Sequence, residues 1–293
     1  MATRTPSLTP ERKERYRRLV RKFRANPKAM FGLSIVVMLI IVAIFADYIA
    51  IHPIEETNIP NREQPPSFEH PMGTDDLGRD IFSRIVMGVR ISLYVGITSI
   101  AGALVLGTAM GVLAGYRGGW TDELLMRLVD AMMSFPPVLL ALAIVAVAGA
   151  NLTNLVIALA FVYTPYVARV ARSAAISVRN EAFVDAAIVR GESEFYVMGR
   201  EVLPNCAGPL LVQGSINVSF AILIEASLSF LGLGVQPPTP SWGIMVNTGW
   251  PFMADAPWMV LFPAGAIALA VIGFNMLGDG IRDVLDPQGE IIE

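Results

Sequence analysis

NEAFVDAAIVRGESEFYVMGREVLPN, residues Asn180–Asn205, is a polar island between long apolar runs. It reads as two short helices separated by Gly191, with Pro204 opening the next long one. Asn180 is placed to cap the first helix, with Glu181 in its first turn and Arg190 in its last, the charge order that a helix dipole favours. Phe183, Val184, Ala186 and Ala187 give that helix a small apolar face. Gly191 suits the left-handed position that ends a helix. Ser193 can cap the second helix, and Pro204 fits a first helical turn. A compact helix–Gly–helix unit held between two membrane spans on the cytoplasmic side is shaped to dock into another protein. A solvated loop with ordinary caps is the competing reading.

Composition sets the environment of this loop. The chain has 293 residues, 54% hydrophobic and only 16% charged, where a soluble domain carries about 25% charge. This describes an all-α membrane protein. Cys206 is the single cysteine, so no intramolecular disulfide can form. The net charge of −3 hides an asymmetry: ten of the 22 Lys and Arg fall in residues 1–28, against Glu11 and Glu14. The basic tail, residues 1–29, reads as a cytoplasmic topology anchor beside anionic membrane lipid, not as a nucleic-acid arm.

The spans follow in order. Residues 30–51 hold the first, built on the apolar run Met30–Ala46, and with no cleavage-like site it reads as retained. Residues 52–90 carry seven acids and four arginines and read as extracytoplasmic. There Asp75 can cap a turn and Asp80 can pair with Arg84 at i,i+4. Ile81, Ile85 and Val89 share a helical face, which predicts a short interfacial helix ahead of the next span.

Residues 91–278 form a five-span core that includes the loop 180–205. Ile91–Tyr116 carries Gly102, Gly107, Gly111 and Gly115, a small-residue stripe that predicts a close helix contact without naming the partner. Ala131–Ala168 is uncharged for 38 residues, too long for one span and right for two, with Gly149–Asn154 as the turn and a kink or a broken turn at Pro136 and Pro137. In the fifth span, Gln213 and Asn217 share a face, and lining a translocation path competes with interhelical hydrogen bonding as their role. Glu225 is expected near the outer interface. Ala256–Gly278 is the sixth span, and residues 279–293 form a cytoplasmic tail. With both termini inside, eighteen Lys and Arg fall on the cytoplasmic side and four outside.

Three motifs carry a resemblance. The run Asp185-Ala186-Ala187, three residues, Gly191, eleven residues, Leu203-Pro204 resembles the EAA loop of binding-protein-dependent ABC importers, with Asp for Glu at 185 and Glu201 where many members have Ile. GTDDLGRDIFSRIVMGVRISL, Gly73–Leu93, resembles the GTDxxGRD…SRxxxGxRxSL segment of the peptide and nickel branch. EASLSFLGLGVQPPTPSWGIM, Glu225–Met245, resembles the periplasmic turn of the same branch. Covering roughly residues 22–287, these identify the chain as similar to a MetI-like permease subunit, of the C-type found in dipeptide and oligopeptide systems.

The resemblance implies a type I importer permease fold with six transmembrane helices. It implies a companion permease in a heterodimer, two ATPase subunits and an extracytoplasmic substrate-binding protein. Asp185, Ala186, Ala187, Gly191, Leu203 and Pro204 would couple the spans to an ATPase. ATP and magnesium would sit on the ATPases, with no cofactor on this chain. In keeping, the sequence lacks a GxxxxGK phosphate loop, and its three lysines all precede residue 29. It also lacks HExxH and GxSxG, so no catalytic residue is assigned. His52 and His70 lie 18 apart in one external loop and read as surface residues, with no metal assigned. The expected cargo is a di- or oligopeptide or a small solute such as a nickel chelate. An ATP-independent secondary transporter is the alternative, and it leaves the loop without a role.

Overall fold

A computed structural model describes residues 10–285; residues 1–9 of the basic tail and 286–293 of the C-terminal tail lie outside the described residues. Helix dominates. A basic α1 (Pro10–Ala25) leads into α2 (Pro27–Ile44), which Asn26 caps by accepting from the Lys28 and Ala29 N–H groups, with Pro27 at its first turn. A short α3 (Ala46–Ile49) follows. Next come α4 (Ile81–Arg117), α5 (Gly119–Met133), α6 (Pro137–Ala148) and α7 (Leu152–Arg179). The loop supplies α8 (Ala182–Val189) and α9 (Glu194–Tyr196), and a π-helical stretch Val197–Val202 runs into α10 (Leu203–Phe230). α11 (Trp242–Gly249) and α12 (Trp258–Leu285) complete the chain.

α2, α4, α7, the α9–α10 unit and α12 are long and apolar enough to cross a membrane, and the bent pair α5–α6 supplies a sixth crossing. That pair turns by 87° at its break. Pro136 and Pro137 cause the break, since neither can donate to the preceding turn and the proline rings clash with it. α6 has 12 residues, about 18 Å of helix against a hydrocarbon core of about 30 Å. Of the kink and the broken turn that Pro136 and Pro137 allow, the structure has the break.

Cross-links fix which ends lie together. Asn26 donates to Asp283 (3.1 Å), joining the start of α2 to the end of α12, and Leu285 lies beside Gly208 near the start of α10. At the opposite end, Arg90 makes a bidentate pair with Asp47 (2.8 and 2.9 Å).

The glycine stripe of α4 meets α7. A Cβ at Gly107, Gly111 or Gly115 would lie 2.6, 2.3 or 2.6 Å from the carbonyl oxygens of Thr164, Ala168 and Arg172. The two backbones touch at four-residue intervals, which only the absence of side chains permits.

Three local expectations are corrected. No separate interfacial helix precedes the second span: residues 81–90 are the first turns of α4, because nothing between Ile81 and Arg117 interrupts the helix. Asp80 does not pair with Arg84. It caps α4 by accepting from Ser83 N–H (2.7 Å), while Arg84 reaches back to donate to the Ile54 carbonyl (2.9 Å). Asn180 does not cap α8; α7 runs through Arg179, so Asn180 closes it, and an extended Glu181 leads into α8. Glu225, near the C-terminal end of α10, is fully buried against α4, accepting from Ser229 Oγ (2.8 Å) and Ser92 Oγ (3.3 Å).

Candidate functional site: the loop between α7 and α10

The loop is a folded unit with one face inward and one outward. Val184 and Ala187 of α8 are buried, in the same apolar cluster as Val197, Met198 and Val202 of the π-helical stretch. The 3.6-residue period therefore leaves Phe183, Asp185, Ala186, Ile188 and Val189 outward, with Val189 86% exposed. Phe195 continues this surface at 75% exposure. The single apolar face expected from the sequence is thus divided: Val184 and Ala187 pack inside, and Phe183 and Ala186 face outward.

Gly191 turns the chain at φ +82°, and the space where its Cβ would stand is open. Its requirement is conformational, not steric: an L-residue in this region costs about 1–2 kcal/mol. The Gly191 and Glu192 N–H groups donate back to Ile188 and Ala187, closing α8. Ser193 caps α9 by accepting from Tyr196 N–H (3.3 Å).

From Glu194 the helix continues into α10, so the second half of the loop and the fifth span are one rod of 37 residues. Pro204 is accommodated inside it by the π-helical turn. Proline cannot donate to the carbonyl four residues back, and just before it Leu203 N–H donates to Met198, five back. Leu203 and Pro204 are exposed at this junction. Beside it an apolar groove of about 830 Å³ runs between α4 and α10, lined by Leu104, Val112, Phe195, Met198, Leu203 and Leu211 among others.

Charges brace the unit. Arg117, at the end of α4, makes a bidentate pair with Glu194 (3.0 and 2.8 Å). Arg190 and Glu201 approach to 3.8 Å, linking the two arms across Gly191. Glu201, the departure from the family's usual Ile, thus gains a local partner. Arg172–Asp122 and Arg169–Asp130 tie α7 to α5. The Asp185 carboxylate makes no hydrogen bond or ion pair among the described residues, and the residue stands exposed. No sequence rule exposes the Arg117–Glu194 pair, since its members lie 77 residues apart.

Gln213 and Asn217 lie on one face of α10 but bond to each other, Gln213 Nε2 donating to Asn217 Oδ1 (2.8 Å). Asn217 is buried, and its Nδ2 has no partner. The interhelical bond in this region is instead Ser219 Oγ to Asn275 Oδ1 (2.8 Å), between α10 and α12. His70 departs from the surface expectation: it is 7% exposed, its Nδ1 lies 3.0 Å from Asp80 Oδ1, and the ring of the half-buried His52 lies tilted against it, centroids 4.7 Å apart.

A bundle of multiple membrane crossings, with a braced helix–Gly–helix presented at one end, belongs to the class of membrane-embedded permeases. Comparison with known proteins narrows this. Residues 107–288 match the family described as the binding-protein-dependent transport system inner membrane component, and residues 15–66 match the N-terminal transmembrane domain of oligopeptide transport permease C. The chain belongs to the family of binding-protein-dependent transport system inner membrane components. It is 47% identical over 93% of its length, and 90% of the relative's, to the dipeptide transport system permease protein DppC of Alkalihalophilus pseudofirmus. It is 39% identical to the oligopeptide transport system permease protein OppC of Bacillus subtilis (91% and 88% covered). To the glutathione transport system permease protein GsiD of Pectobacterium atrosepticum it is 41% identical (96% and 92% covered). The fold is shared with a chain of the inward-facing MetNI methionine ABC transporter, at TM-score 0.57 and 17% identity over 69% of this chain and 97% of that one. The chain is a multi-pass permease component of an ABC importer.

Proposed function

We propose that this permease admits di- or oligopeptides or a related small solute across the cytoplasmic membrane of a bacterium or archaeon, driven by ATP hydrolysed on separate subunits. Three kinds of partner complete the assembly: a companion permease, two ATPases and an extracytoplasmic substrate-binding protein. Both termini and the loop 180–205 lie on the cytoplasmic side. Ten Lys and Arg lead into α2, and the ends of α4, α7 and α12 carry Arg117, Arg179 and Arg282 at the same end of the bundle.

One observation carries the reading: a rigid loop presents Phe183, Asp185, Ala186, Ile188 and Val189 outward while remaining continuous with α10. That surface is sized for a groove on an ATPase, with Asp185 as its charged contact. Closure of the ATPases would move the loop and, through the unbroken α9–α10 rod, the fifth span. Such coupling requires the loop to contact the two ATPase states differently. Gly191 fixes the angle between the arms, and Leu203 and Pro204 form the root at which the rod enters the membrane.

The test is transport together with ATPase stimulation in proteoliposomes. Asp185→Arg and Gly191→Pro should abolish both while membrane insertion stays normal. Normal transport by either variant would overturn the coupling role. Transport that persists without ATP would favour a secondary transporter instead.

A further inference from the structure

At the opposite end of the bundle, three potential metal ligands from distant positions meet. One ligand atom each from His52, His70 and Asp80 lie within 4.8 Å of one another. The cluster is built into the lobe that residues 50–80 form between α3 and α4. Asp80 is buried at the N-terminus of α4, where its Oδ2 accepts from Ser83 N–H (2.7 Å) and Ser83 Oγ (2.6 Å), leaving Oδ1 toward His70. The same Ser83 hydroxyl accepts from the N–H groups of Ile51 and His52 (3.0 Å each), which places the His52 backbone. Ser67 holds His70, its Oγ accepting from His70 N–H (3.0 Å). Each member of the trio is therefore oriented by a neighbour that is not itself a ligand, the kind of support that metal ligands have.

We infer that His52, His70 and Asp80 form a binding site for a divalent transition-metal ion of the zinc type. Two imidazoles and one carboxylate suit zinc and its neighbours rather than calcium or magnesium, which take oxygen ligands. Nitrogen and oxygen ligands about 2.0–2.2 Å from a tetrahedral zinc stand about 3.4 Å from one another. The 3.0 Å from His70 Nδ1 to Asp80 Oδ1 is close to that edge. An ion there takes the place of the proton these two atoms share. His52 closes the third side, and the fourth position is left to water.

The position in the fold gives the ion its role. It would fasten the residue that follows the first span and a point two-thirds along the 52–80 segment to the residue that caps α4. The segment would thus be clipped down at three points. This site stands on its own residues and does not depend on how the loop 180–205 is used.

The test measures zinc on the full-length chain in its native assembly, purified through a histidine-free tag and stripped with chelator. The wild type should retain one zinc per permease more than His52→Ala does after equilibrium dialysis, with affinity falling ~100-fold or more on loss of this ligand. Cobalt substitution should give the visible absorption of a four-coordinate site, absent from His52→Ala. His52→Asn serves should the alanine variant fail to assemble, and His70→Gln should lose the same equivalent. Equal zinc content in wild type and both His52 variants would overturn the assignment.

Discussion

The exposed Arg90–Asp47 pair apart, the two ends of the bundle treat their charge differently. At the loop end, Arg117–Glu194, Arg169–Asp130 and Arg190–Glu201 join different helices through exposed or half-exposed side chains. At the lobe end, Asp75, Asp80, Arg84 and His70 are buried, and they bond to backbone more often than to one another. Exposed pairs contribute about 0–1 kcal/mol each and re-form easily, whereas a buried polar group stripped of its partner costs about 1–3 kcal/mol. Under the proposed coupling, the loop end shifts with an ATPase partner while the lobe end keeps its shape.

The largest effect should come from the lobe. Asp80→Ala removes the cap of α4 and orphans His70, a loss of about 3 kcal/mol, which should appear in thermal unfolding of the purified assembly as a clear drop in midpoint. A midpoint close to wild type would erase the contrast between the two ends. Next, Gly191→Ala should cost about 1–2 kcal/mol locally through its left-handed backbone. Gly191→Asn should recover more of the ratio of solute moved to ATP consumed than the alanine variant does, because asparagine tolerates that region better. Arg190→Ala should lower unfolding stability by less than about 1 kcal/mol while reducing the same transport ratio, and raised salt should mimic it in the wild type.

The smallest effect sharpens the picture of the lobe. Burial, and then the neighbouring Asp75, raise the Asp76 carboxyl above the usual carboxylate range, and its Oδ1 lacks a hydrogen bond. A raised folded-state pKa adds stability at pH below the ordinary Asp value and loses it as pH climbs through the folded value. Asp76→Asn should therefore stabilise the lobe slightly at neutral pH, with the gain shrinking on acidification; a gain that grows in acid would contradict this.

What the sequence made legible was local. Apolar runs announced the crossings, and Gly191, Ser193 and Pro204 announced the loop, because turn and cap chemistry depends on neighbours in the chain. The i,i+4 rule for Asp80 and Arg84 failed for a reason of direction. A cap carboxylate folds onto the N–H groups of its own first turn, while a helical arginine leans toward the N-terminus; here it reaches a carbonyl thirty residues earlier. The partners of Glu225, Ser92 and Ser229, are apolar-run serines that carry no visible signal. His52 and His70 looked like surface residues because only a folded lobe brings them together.

The contact between α4 and α7 has a consequence in commensurability. Glycines and carbonyls match at intervals of four residues, so an axial slip is allowed only in steps of about 6 Å. One such step would set Ala103 against a carbonyl in one direction, and in the other would run past the end of α4 at Arg117. Neither register fits. The two helices are geometrically interlocked, and any rearrangement of the permease has to carry them together.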